Sequence, residues 1–252
     1  MRESRIPTVG ILFPIFCYDR TIPIRKADPN MTRTKLADRV LPTYSRAEEL
    51  MNTITHAAGV PIGILALVTC ILKAASRSPL SITASAIYGA SFIAMFAISA
   101  IYHGFPAGLS KKVLQVIDHC TIYFLIAGSY TAVALCALRA SHPAIAWGLF
   151  AFEWSLALLA ATLTAIDLKK YSVFSMVCYI GMGWAVLPFI RQVFTTLTLP
   201  GFLLLLFGGI AYTIGSILYG LGRTRKWMHA TFHLFVILGA TLQYLSILLY
   251  AL

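Results

Sequence analysis

After residue 50 the sequence runs through seven apolar stretches separated by short polar breaks: roughly 51–72, 80–102, 115–138, 144–166, 173–195, 201–220 and 228–251. At 1.5 Å per residue, a helix of about 20 residues crosses a hydrocarbon core of about 30 Å. The pattern predicts an all-α integral membrane protein, a bundle of seven transmembrane helices occupying 51–252 with no room for a second folded domain. Composition agrees: 59% of residues are hydrophobic and 12% charged, against about 25% charged in soluble domains. A soluble globule and a disordered chain are both excluded.

Residues 1–50 form a mixed-charge polar tail holding six of the nine acids and nine of the twenty bases. The apolar run from Thr8 to Cys17 is too short to span, and no cationic start followed by a small-residue cleavage site marks a signal peptide. Met31 is an alternative start. No internal repeat of the transporter kind is visible. The five cysteines, Cys17, Cys70, Cys120, Cys136 and Cys178, are widely spaced and read as buried small residues, not as a disulfide framework or thiolate site.

The net charge of +11 would suggest nucleic acid on a soluble chain, but on a membrane chain its distribution over the loops matters instead. The tail and alternate breaks (Lys111, Lys112; Lys169, Lys170; Arg223, Arg225, Lys226) carry sixteen Lys and Arg, whereas the opposite breaks carry four, Lys73, Arg77, Arg139 and Arg191. The positive-inside rule then predicts a cytoplasmic N-terminus and an outside C-terminus. No nucleic-acid partner is expected.

That direction sets the depth of the rare polar groups. Ser99 and His103 end span 2 at the cytoplasmic boundary, Asp118 is expected in the first turn of span 3, and His229 and His233 fall in the first two turns of span 7. One imidazole at such a boundary is more often an amphipathic surface residue than a ligand. Three on one side, with an i,i+4 pair and an acid, are a different matter. Residues four apart share a helix face, so His229 and His233 can grip one ion, and three neutral imidazoles plus a water form the open tetrahedral site of catalytic zinc. Asp118 is then a fourth ligand, a partner behind the ligands, or a base acting on the water. His56 is the reserve candidate, near Glu48, Glu49 and Asn52, though these also read as a helix start with acids at its positive end. His119 adjoins Asp118 but points about 100° away.

Glu153 falls close to the midplane of span 4. An intramembrane carboxyl is a functional candidate by default, either a proton-bearing group or a neutral acid hydrogen-bonded to a neighbouring helix. Glycines such as Gly128, Gly181, Gly183, Gly208 and Gly215 read as close helix packing. Span 7 contains no Lys for a Schiff base, which excludes a retinal protein.

Glu49, Asn52 and Thr55-His56, then SAIYH (Ser99 to His103), DHCTIYFLIAGSYT (Asp118 to Thr131), GGIAYTIGSILY (Gly208 to Tyr219) and HATFHLFVILGA (His229 to Ala240) together resemble the bacterial hemolysin III proteins of the progestin and adiponectin-receptor (PAQR) family. The resemblance covers about residues 45–250. It implies an inward N-terminus, a zinc ion bound by His103, His229 and His233, Asp118 holding a zinc-bound water, and Ser99 supporting the site. Human relatives are receptors with ceramidase-like activity, and the bacterial branch is named for cell lysis. Two functions are therefore expected as alternatives: a zinc-dependent hydrolase of a membrane lipid amide, or a non-enzymatic receptor-like or cytolytic protein with a structural zinc. The expected location is the plasma membrane, in a bacterium the inner membrane.

Overall fold

The computed structural model describes residues 33–222 and 224–252. Cys17, the Thr8 to Cys17 run, Met31, the tail bases Arg2, Arg5, Arg20, Arg25 and Lys26, and Arg223 lie outside the described residues.

Among the described residues all regular structure is helical. The principal elements are α1 Arg46–Ala74, α2 Pro79–Gly104, α3 Leu109–Ala132, α4 Pro143–Ile166, α5 Ser172–Gly183, α6 Ile190–Leu221 and α7 Met228–Ser246. Local sequence explains several starts. Ser45 and Glu48 form a reciprocal capping box at α1, satisfying donors that the first turn leaves unpaired. Ser78 caps α2 ahead of Pro79, and Pro143 opens α4 at the position where a missing N–H costs nothing.

Six stretches of the described residues are long and apolar enough to cross a membrane: Arg46–Ala74, Pro79–Gly104, Leu109–Ser141, Pro143–Ile166, Ser172–Leu221 and Met228–Ala251. The fifth contains 50 residues, which as straight helix would be about 75 Å. It is not straight. The helix is interrupted between α5 and α6 at the Leu187–Phe189 turn that holds Pro188, and Thr198 leaves helical geometry at φ 62°, two residues before Pro200.

Helices α1 and α7 run parallel. Thr55 Oγ1 lies 3.2 Å from His233 Nδ1, Thr69 Oγ1 2.9 Å from Tyr244 Oη, and Lys73 Nζ donates to Leu248 O at 2.6 Å, so position rises along both helices together. Glu48 ties their starts: Oε2 accepts from Ser45 N at 3.0 Å and Oε1 from Trp227 N at 2.8 Å. Large apolar side chains on the outer faces, Leu65, Leu72, Leu158, Phe207 and Leu234 among them, are exposed, while Asn52, Ser85, Ser99, Thr131 and His233 are buried. This inverts the soluble pattern and suits lipid surroundings.

Close helix packing is seen where Gly208 and Gly239 face each other across α6 and α7: a methyl on Gly239 would stand 3.0 Å from Gly208 O. Gly181 and Gly183 do not behave this way; an added methyl there meets nothing within 4 Å. Their expected packing role is corrected accordingly.

Residues 33–44 lie against the ends of α3 and α4. Arg33 Nε and Arg39 Nη2 donate to Ile166 O at 2.9 and 3.3 Å, and Thr34 N donates to Asp167 Oδ2 at 2.8 Å. Lys112 Nζ donates to Ala37 O. Burial pushes the Asp167 carboxyl up, but the N–H groups of Thr34, Lys170 and Lys169 outweigh it and hold the group below its ordinary range. With a depressed folded value, the latch is complete above the ordinary aspartate range of about 3.9 and is lost as pH falls through the folded value. Asp167→Asn is expected to speed amide hydrogen exchange in 33–44 at neutral pH, with wild type approaching the variant only in acid below that range. Equal exchange in both proteins at neutral pH would remove the latch.

Candidate metal centre

The last turn of α2 carries His103, and the first two turns of α7 carry His229 and His233. Their Nε2 atoms converge, 3.3 Å between His103 and His229 and 3.1 Å between His229 and His233. His103 and His233 are 3% and 1% exposed. The opposite ring nitrogens decide what these Nε2 atoms are. His103 Nδ1 stands 2.7 Å from Glu49 Oε2, and His233 Nδ1 3.3 Å from Asn52 O. A carboxylate and a carbonyl only accept, so both Nδ1 atoms carry hydrogen, and in the neutral rings both Nε2 atoms are the lone-pair donors. The third imidazole can donate its Nε2 hydrogen to one of these lone pairs but not to both, whereas a cation among them satisfies all three rings. The separations also match the roughly 3.3 Å that tetrahedral bonds of about 2.0–2.1 Å produce. The donor set therefore fits a small divalent ion, and His103, His229 and His233 form a group able to hold one.

The carboxylate–imidazole pair is itself braced. Lys111 Nζ donates to Glu49 Oε1 at 2.7 Å, to His103 O at 3.1 Å and to Phe105 O at 3.0 Å. It thus joins the starts of α1 and α3 to the end of α2. Tyr44 stacks on His229 with ring centres 5.0 Å apart.

Asp118 is outside the three-histidine group but beside it. Together with Ser99, His229 and His233 it lines one cavity. Its expected place in the first turn of its helix is corrected: α3 begins at Leu109, so Asp118 lies about 14 Å along it. The physical reason is Lys111, whose three protein partners let the helix start within a polar break. His119 turns aside, with Nδ1 2.8 Å from Gln115 O and Nε2 3.3 Å from Tyr219 Oη. His56, the reserve ligand, stacks on His233 with ring centres 3.6 Å apart and is not among the three converging histidines. Glu153 is fully buried, and neither carboxyl oxygen has a hydrogen-bond partner among the described residues; the expected bond to a neighbouring helix is not present there.

The cavity runs from these groups between α3, α5, α6 and α7 to Gln243. Its deeper walls are mostly apolar, including Met95, Leu125, Ile126, Ile180 and Val236.

The family model described as "Haemolysin-III related" matches residues 44–244. The chain belongs to this family. It is 34% identical over 206 residues to Hemolysin-3 of Bacillus cereus, covering 81% of this chain and 92% of that one. To the Hemolysin-3 homolog of Bacillus subtilis (strain 168) it is 34% identical over 208 residues, 82% of this chain and 96% of that one. A human PAQR relative, monocyte to macrophage differentiation factor, is 27% identical over 169 residues, 64% of this chain and 67% of that one.

In this haemolysin-III-related protein the groups behind the three histidines were the least legible part of the centre. Glu49 orients His103, and Asn52 with Thr55 orients His233. A signal existed: positions 49, 52 and 55 recur at helical spacing and so share one face of α1. What the spacing lacked was the identity of the helices that this face meets.

Proposed function

We propose that this protein is a seven-helix integral membrane hydrolase that uses zinc, held by His103, His229 and His233, to cleave the amide of a membrane lipid. The observation that carries the reading is the convergence of three Nε2 atoms at the polar end of a long apolar cavity that Asp118 and Ser99 also line. The seven-crossing count draws support from α1 and α7: parallel first and last helices require an odd number of crossings, met if Ser172–Leu221 crosses twice. The sixteen-to-four distribution of Lys and Arg supports a cytoplasmic N-terminus and an outside C-terminus, with 1–50 as a cytoplasmic tail. In a bacterium the membrane would be the inner one.

Bound zinc with an open position supplies an activated water and polarises a carbonyl. The protein's own groups do the rest. Asp118 accepts the proton released by the attacking water and returns it to the leaving amine. Ser99, on the wall of the same cavity, supports the Asp118 carboxyl. Glu49, braced by Lys111, keeps His103 in the tautomer that presents Nε2, and Asn52 does the same for His233. The lipid enters sideways from the cytoplasmic leaflet, with its chain in the cavity. Glu49→Ala is expected to weaken zinc binding about 10–100-fold, with Glu49→Gln intermediate, by competition with a chromogenic chelator. Unchanged affinity in both would remove Glu49 from the centre.

The activity is tested by incubating purified, zinc-loaded protein with long-chain ceramides and other lipid amides and measuring released fatty acid. Release that His233→Ala abolishes supports the reading. Stoichiometric zinc with no release from any lipid amide overturns it in favour of a receptor-like or cytolytic protein in which the metal pins α2 and α7. The names of the bacterial relatives favour that second reading.

A further inference from the structure

A second hollow adjoins the cavity that leaves the histidines. Ser129, Tyr130, Gly183, Trp184, Gly209 and Gln243 line both. The residues that line the second hollow alone, such as Val133, Val186, Leu187, Ile190, Val193 and Phe202, are all aliphatic or Phe. The six shared residues, the neck, therefore stand between the two hollows. From His233 to Gln243 along α7 is about 15 Å, and from Asp118 to Tyr130 along α3 about 18 Å, so two helices carry the neck a similar distance from the cavity's polar end.

Hydrogen bonds hold this neck. Tyr130 Oη donates to Gly183 O at 3.2 Å and accepts from Val186 N at 3.1 Å, and Trp184 Nε1 donates to Thr213 Oγ1 at 3.1 Å. Rings tied at their polar tips are held in place there. Gly209 faces Trp184, and a methyl added there would stand 3.7 Å from Cη2 and 3.8 Å from Cζ2, ordinary contact that narrows the neck without moving backbone. The far chamber offers no polar partner among the side chains that line it alone, so what enters it must be hydrocarbon.

We infer that the neck measures the hydrocarbon chain of the ligand: a short chain ends in the first chamber, and a long straight chain passes Tyr130 and Trp184 to place its terminal methyl in the second. The inference rests on the reading that the lipid carbonyl lies at the histidines. Each methylene buried beyond the neck adds up to roughly fourfold in affinity.

The test uses the full chain in nanodiscs and saturated free fatty acids, octanoate, laurate, palmitate and stearate, competing with a fluorescent fatty acid. In wild type, affinity is expected to climb from octanoate through palmitate. Gly209→Ala should weaken palmitate about tenfold or more while leaving octanoate unchanged. Leu205→Trp, which fills the far chamber from its own wall, should do the same by an independent route, and Trp184→Ala should restore length dependence beyond palmitate to stearate. Octanoate binding serves as the control for folding. Length profiles in all three variants parallel to wild type overturn the neck alone. Displacement by no fatty acid of any length overturns the lipid reading and the neck with it.

Discussion

Replacing His233 by Ala is expected to strip the metal from the protein and to lower its melting temperature by roughly 10 °C. The side chain is 1% exposed and its Nε2 lies 3.1 Å from that of His229, so its loss leaves two donors where the ion needs three. A ligand present at a thousand times its dissociation constant stabilises the folded state by about 4 kcal/mol, and for a chain of this size each kcal/mol shifts melting by about 2–4 °C. A chelator should lower wild-type melting by a similar amount and leave the variant unmoved. A cavity without a metal role separates from this outcome: it lowers melting in the variant but makes neither protein chelator-sensitive.

The second large effect is on catalysis alone. Asp118→Ala is expected to retain zinc and lose about 10²–10⁴-fold in fatty-acid release, the span for a positioned general base. Asp118 stands outside the three converging histidines, which is why metal retention is expected, and lines the same cavity, which is why rate is lost. Loss of zinc from this variant would make Asp118 a ligand. Retained zinc with undiminished cell lysis or signalling would favour the non-enzymatic reading.

The three histidines were legible in the sequence because their spacing and side were periodic: His229 and His233 are four apart on one helix, and alternation of charge over the loops brought the end of span 2 to the same depth. Helix boundaries were less legible. Asp118 was expected in a first turn, but Lys111 finds Glu49, His103 O and Phe105 O, and a satisfied lysine lets α3 begin at Leu109. Hydropathy measures apolar length and cannot see that partner set. The break at Thr198 fell in the gap between two apolar stretches, where its position was set by Pro200 and not by hydropathy. The cavity was not legible at all, since Tyr130, Trp184 and Gln243 come together only through the packing of four helices.

The ring of groups behind the ligands argues against a fortuitous histidine cluster. Glu49 and Lys111 on one imidazole, and Asn52 with Thr55 on another, each fix a ring nitrogen so that the other points inward. Such fixing is the arrangement expected behind histidines that hold a cation.

Metal analysis of the purified full chain tests that account most directly. Protein isolated without chelator should hold one zinc per chain, and His229→Ala and His233→Ala should each hold essentially none. A folded wild-type protein that holds no divalent metal even after equilibration with excess zinc would contradict it.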